Sequence, residues 1–172
     1  MSEPGEAVGA KSPWAPLSQP LFRALWIAAF VSNLGAWMQD VGEAWLMTSL
    51  TSSALLVSLL QTAEGVAIFL LALPAGALAD IVDRRHLLIV TQAWTCGIAA
   101  AVGVVTLTGH ATPALLIAGG FGVGLGTALT SPSWQAIVGD VVPREDLAAA
   151  ITLNGVAFNL ARAVGPAIGG LI

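Results

Sequence analysis

Charge is what this 172-residue sequence has least of: only 9% of its residues are Asp, Glu, Lys or Arg. A soluble domain averages about 25%, and it needs that charge on its surface to stay in solution. The shortage excludes an ordinary soluble fold. The net charge of −4 comes with no basic patch, which excludes a nucleic-acid partner. Cys96 is the single cysteine, so no intrachain disulfide forms. The only histidines are His86 and His110, and with Cys96 they share no metal-ligand spacing. No metal and no cofactor are expected. There is no Walker loop, hence no ATP hydrolysis. The glycines of the fourth apolar segment do not fit a dinucleotide fingerprint, for want of a preceding strand and a downstream acid. No nucleophile–base–acid set is visible, so the chain does not read as an enzyme.

What remains is apolar. Hydrophobic residues make up 56% of the chain and there are 19 glycines, a residue commoner in membrane helices than in soluble ones. The length admits about five or six spanning helices. Five apolar segments are present, at about 21–47, 54–79, 87–108, 112–138 and 144–172. Each can cross ~30 Å of hydrocarbon at ~1.5 Å per residue. The fourth opens with Thr112-Pro113, a capping residue followed by proline at the first helical position. Residues 1–20 are polar, with Glu3 and Glu6 in place of a basic n-region. They read as a disordered cytoplasmic tail and not as a cleaved signal peptide.

The connections set the orientation. Thr48–Ser53 and Gly109-His110-Ala111 carry no Lys or Arg, whereas Asp80–His86 and Gly139–Asp146 carry Arg84, Arg85 and Arg144. With Lys11 and Arg23, these mark one membrane face, which the positive-inside rule makes cytoplasmic. The N-terminus is then inside, in the inner membrane of a bacterium. Gly169-Gly170-Leu171-Ile172 has no flanking charge or aromatic anchor. It reads as a chain cut before a sixth helix, with a natural five-span protein as the alternative. Thr62–Leu70 also aligns with Thr152–Leu160 at five of nine identical positions. Segments two and five run in opposite directions, as an inverted repeat requires. Chance similarity of two Ala/Gly/Val-rich helices is the rival explanation.

Two stretches carry motifs. The first is Gly76-Ala77-Leu78-Ala79-Asp80-Ile81-Val82-Asp83-Arg84-Arg85. A glycine there lets helices approach, and a carboxylate can cap a helix or pair with an arginine. Such a bridge can hold one conformation and break in another, which makes Gly76, Asp80, Asp83, Arg84 and Arg85 a candidate conformational-switch loop. A plain positive-inside loop is the bland reading. The second is Ala161-Arg162-Ala163-Val164-Gly165-Pro166-Ala167-Ile168-Gly169-Gly170. Pro166 removes one backbone hydrogen bond and kinks the helix. Gly165, Gly169 and Gly170 form a groove for a close partner.

The first stretch resembles the signature loop of the major facilitator superfamily. Gly76, Asp80, Arg84 and Arg85 stand at its glycine, acidic and basic positions; Ile81 and Asp83 depart from the usual arginine and glycine. The Asp-Arg-Arg ending is similar to the branch of enterobactin exporters and macrolide-efflux relatives. The second stretch resembles the superfamily's Gly-Pro-x-x-Gly-Gly antiporter motif, with Ala161 where glycine is frequent. The usual arginine motif of helix four is absent. The resemblance covers nearly the whole chain after Leu17, including Trp45-Leu46 and Leu50–Ala54. It implies an all-α, polytopic fold: the first five helices of an N-terminal six-helix bundle. The whole would have two such halves around a substrate near the midplane.

Charges inside membrane helices are functional hypotheses by default. Asp40, Glu43, Glu64 and Arg162 are such charges. Asp40 and Glu43 share one helical face, although Glu43 can also lie at the outer surface. Asn33, Trp37, Asp40 and Ala44 form a stripe at spacings of four, three and four. Gln61 accompanies Glu64, and Asn159 precedes Arg162 by one turn. Counted from the cytoplasmic ends, Arg162 is ~22–24 Å deep, Asp40 ~27 Å and Glu64 ~22 Å. The expectation is that Arg162 pairs with Asp40 or Glu64, one of which carries the coupling proton. Asn33, Trp37, Gln61 and Asn159 are expected to line the cavity. A static ion pair is the alternative. The remaining tryptophans fit the membrane interface.

The resemblance implies a secondary active transporter that exports a small amphiphilic molecule, siderophore or drug-like, by proton antiport and alternating access. Its partners are the bilayer, the substrate, protons and a missing C-terminal half, without which the chain is expected to be inactive. The alternative is a non-transporting five-helix protein acting as an assembly or regulatory subunit.

Overall fold

The computed structural model describes residues 12–171, apart from the side chain of Asp80. Five helices follow a short 3-10 turn at Ala15–Ser18: α1 (Pro20–Leu50), α2 (Ala54–Ile81), α3 (Arg84–Leu107), α4 (Pro113–Val141) and α5 (Leu147–Gly169). All five are long and apolar enough to span a membrane. The chain is all-α and polytopic.

Residue type explains where the helices begin and end. Thr112 accepts a hydrogen bond from the Leu115 N–H and Pro113 opens α4, a pairing suited to the first turn. α1 runs three residues past its expected end at Met47. The hydroxyls of Thr48 and Ser49 donate to the carbonyls of Trp45 and Leu46. These bonds back onto the preceding turn let polar residues stay helical. α3 begins three residues earlier than expected, because the Asp83 carboxylate accepts from the N–H groups of Arg85 and His86. Arg84, Arg85 and His86 therefore belong to a first helical turn and not to a loop. α5 begins at Leu147, after a turn closed by the Asp146 N–H on the Pro143 carbonyl. Most of the expected tail, with Glu3, Glu6 and Lys11, lies outside the described residues, as does Ile172. Its last part departs from a tail. Pro16 is buried, and Leu17 packs against the buried cluster of Phe22, Val138, Val142, Ala150 and Leu153.

Packing follows side-chain size in the sense opposite to a soluble core. Leu73, Phe69, Trp45 and Leu107 point outward, whereas glycines and alanines fill the seams. Between helices in lipid, small residues permit the close backbone approach that van der Waals contact needs. α4 is the hub, and its glycines divide between two neighbours. Gly120 and Gly124 meet α2 at Leu60, Glu64 and Ala67; Gly119, Gly122 and Gly126 meet α3 at Val102, Ile98 and Thr95. A Cβ at Gly124 would lie 2.5 Å from the Glu64 carbonyl oxygen, so only glycine fits there. On the α3 side, the Trp94 indole N–H donates to the Gly122 carbonyl, and the Thr130 hydroxyl donates to the Thr91 hydroxyl.

α1 packs on α5 in the same manner. The Trp26 indole N–H donates to the Leu153 carbonyl at 3.0 Å. Further along, Gly165 meets Leu34 and Trp37, and Gly169 meets Met38. Residue numbers rise together on both helices, so the pair is parallel, as is α2 with α4. Exchanging helix one for four and two for five turns one pair into the other. The similar segments of α2 and α5 take equivalent places in these pairs. Leu60, Ala67 and Ala75 are buried on α2, and Ala150, Ala157 and Gly165 on α5.

Candidate functional site

Two apolar clusters close the ends of the bundle. Phe22, Val138, Val142, Ala150 and Leu153 fill the end that carries the basic residues. Met47, Leu60, Val102 and Leu116 fill the other. Between them lie the intramembrane charges, in two separate groups.

The first group is acidic. A cavity of about 720 Å³ opens between α1 and α2, with Gly120 of α4 against it. Asp40, Glu43, Gln61 and Glu64 line it together with Ala44, Thr48 and Ser58. The structure thus brings together three of the expected residues, Asp40, Gln61 and Glu64. It adds Glu43, which is half-buried and accepts a hydrogen bond from the Gln39 amide at 2.7 Å. The spacing of three between Asp40 and Glu43 is the signal that placed it on this face. Glu43 also borders a second cavity of about 560 Å³, between α1 and α3.

The second group is cationic and aromatic. The Arg162 guanidinium carbon lies 5.7 Å from the centre of the Trp37 ring, a cation–π distance. The Phe158 ring meets Trp37 edge-on at 5.9 Å. The sequence around Arg162 dictates this seat. Gly165, one turn on, brings the α1 backbone so close that a Cβ would lie 2.6 Å from the Trp37 Cβ. Pro166 has no N–H to give to the Arg162 carbonyl four residues back, and α5 continues past it to Gly169. Gly170 follows as the helix cap, its N–H on the Pro166 carbonyl.

The expected ion pair of Arg162 with Asp40 or Glu64 is not formed: among the described residues, no carboxylate lies within 4.0 Å of the guanidinium. Depth permitted the pair, but side-chain direction does not supply it. Trp37, one turn nearer the basic end than Asp40, takes the guanidinium instead. The expected cavity lining is also divided. Gln61 lines the acidic cavity, Trp37 belongs to the aromatic seat, and the Asn33 and Asn159 amides donate to their own helices at Ala29 and Gly155.

The candidate switch loop is placed as follows. Asp83 caps α3, Arg85 is exposed, and the Arg84 Nη1 donates to the Asp140 carboxylate of α4 at 2.7 Å. That bridge was not anticipated. The antiparallel run of α3 and α4 sets their basic ends level, which is the signal that could have found it. Gly76 does not serve close approach, since a Cβ there would meet nothing within 4 Å. The side chain of Asp80 lies outside the described residues.

Comparison with known proteins gives the lineage of this arrangement. A family profile described as "Transmembrane secretion effector" matches residues 11–172. A staphyloferrin A transporter of Staphylococcus aureus is 29% identical over 146 residues, which is 84% of this chain and 37% of the relative. An enterobactin exporter of Shigella boydii is 30% identical over 164 residues, 90% of this chain and 37% of the relative. The chain therefore spans about 37% of the length of these curated relatives. No solved structure matches it.

Proposed function

Because the chain belongs to the transmembrane secretion effector family of the major facilitator superfamily, we propose that it forms helices one to five of a secondary active exporter. The protein sits in a bacterial inner membrane with its N-terminus in the cytoplasm. It moves a small amphiphilic molecule by alternating access, driven by proton antiport. The relatives named for staphyloferrin A and enterobactin support a siderophore-like cargo. The share of those relatives that the chain covers supports a further C-terminal half as its partner, without which no transport occurs.

One observation carries the coupling: Asp40, Glu43 and Glu64 from two different helices converge on one cavity at membrane depth. Ionisable groups are costly there and persist where they serve a pathway. A carboxylate exposed first to one face of the membrane and then to the other can load a proton at one and release it at the other. Asp40 and Glu64 stand on α1 and α2, which share few other contacts, so a shift between these helices changes the access of both. At the basic end, the Arg84–Asp140 bridge ties α3 to α4 in the present conformation, and the Asp83 cap holds the first turn of α3 from which Arg84 reaches.

The test is export in inside-out vesicles under an imposed pH gradient, with the whole transporter carrying Asp40→Asn or Glu64→Gln. At least one substitution should abolish the response to the gradient while the protein remains in the membrane. If both variants export as the parent does, proton coupling at this cavity is wrong.

A further inference from the structure

We propose that Arg162, seated on Trp37 and Phe158, is the docking point for an oxyanion of the transported molecule, which is therefore an acid that carries a planar or aromatic portion beside its carboxylate. The proposal rests on the exporter reading and deepens it.

The first support is the isolation of the charge. Arg162 stands ~22 Å along α5 at ~1.5 Å per residue, within the hydrocarbon zone. A guanidinium cannot shed its proton in a protein. At such depth it must face a protein interior or a water-filled cavity, and it needs a counter-charge. The chain supplies none among the described residues. Arg84 pairs with Asp140, whereas Arg162 lies against the Trp37 ring. The acids nearest that depth, Asp40 and Glu64, belong with Glu43 to the separate cavity between α1 and α2.

The second support is the geometry of the seat. The ring of Trp37 steadies the cation without consuming its N–H donors, since a cation–π contact acts through charge and not through hydrogen bonds. Arg162 is exposed, so those donors are available to a ligand. A guanidinium presents them as a planar fork that matches a carboxylate bidentately. The exposed Phe158, packed edge-on against Trp37, offers an adjoining apolar surface for a ring.

The third support is orientation. Trp37 and Asp40 lie on one stripe of α1, one turn apart. A bound acid is attracted at the Arg162 level and repelled by carboxylates one turn further on, so its charged end is fixed toward Arg162. A cationic molecule of the same shape is disfavoured at Arg162.

The test uses the whole protein in lipid nanodiscs and two probes that differ in charge, 2-naphthoate and its neutral amide. Equilibrium dialysis should show naphthoate binding about 10-fold or more tightly than the amide, the scale of a charged hydrogen-bond pair. Arg162→Gln should erase that preference. Equal binding of the two probes by the parent, or a preference that survives in Arg162→Gln, overturns the proposal. If Arg162→Gln does not accumulate, Arg162→Lys replaces it. That variant keeps the charge but loses the fork, so naphthoate should bind about 10-fold more weakly, and unchanged affinity overturns the proposal. Proteoliposomes under a pH gradient separate this result from the exporter reading. An Arg162-dependent preference in a protein that moves no naphthoate keeps the anion site and removes the exporter. Naphthoate movement that is equal in parent and Arg162→Gln overturns the site and keeps the exporter.

Discussion

Glycines in this chain differ sharply in what they do, and the difference is set by what stands opposite each Cα. At Gly124 a methyl group would press on the Glu64 carbonyl, and at Gly165 on the Trp37 Cβ. Both neighbours are anchored to helix backbone and cannot swing away. Gly124→Ala and Gly165→Ala should therefore each destabilise by about 1–3 kcal/mol, the usual cost of overpacking. Gly155 faces open space, so Gly155→Ala should be neutral or slightly stabilising, alanine being the better helix former. Melting temperatures of the purified protein in one detergent would rank the variants, and a Gly155→Ala protein melting below Gly165→Ala would contradict the account. The sequence made the charged and glycine positions visible but not their partners. Residue number fixes the height of Arg162 along α5, while its choice between Trp37 and Asp40 depends on helix rotation, which no local pattern states. The same limit applies to Asn33 and Asn159, whose amides turn back onto carbonyls four residues earlier.

A helix in this bundle is defined at its ends by short polar side chains. The start of α3 is the clearest instance, because Asp83 satisfies two N–H groups there. Asp83→Ala should cost about 1 kcal/mol, as loss of an N-cap does, and hydrogen exchange at Arg85 and His86 should quicken first. Beside it, the Arg84–Asp140 bridge is substantially solvent-exposed, with side chains 39% and 63% accessible. Exposed pairs contribute little in equilibrium terms. A double-mutant cycle with Arg84→Ala and Asp140→Ala should give a coupling of about 0.2–1 kcal/mol. It should shrink further in 1 M salt, where screening acts over ~3 Å. A larger, salt-insensitive coupling would mean that the pair is shielded from water in the membrane. That five helices exist was plain from apolar length alone. α1 runs past its expected end, and α3 starts before its expected beginning, where hydroxyls or a carboxylate bond to the backbone, since those bonds extend or start a helix without altering its hydropathy.

At the scale of the whole molecule, two parallel pairs, α1 with α5 and α2 with α4, are joined through antiparallel neighbours. The similar stretches Thr62–Leu70 and Thr152–Leu160 hinted at this, but helix partnering itself came from where glycines meet backbone. The proposed orientation in the bilayer rests on charge placement: Arg23, Arg84, Arg85 and Arg144 gather at one end, and the end holding His110 has no Lys or Arg among the described residues. Each basic residue that crosses a bilayer costs free energy, so this asymmetry supports the proposed placement of the basic end in the cytoplasm. Single cysteines can test it. In a Cys96→Ser background, which removes the native thiol on α3, Ser12→Cys places a probe at the basic end and His110→Cys one at the other. Both sites are exposed. In intact cells a membrane-impermeant maleimide should label His110→Cys and spare Ser12→Cys, and permeabilisation should make Ser12→Cys reactive. The reverse pattern would invert the protein in the membrane. The acidic cavity lies toward the His110 end, against the cluster of Met47, Leu60 and Leu116, so inversion would place the proposed proton site nearer the cytoplasm.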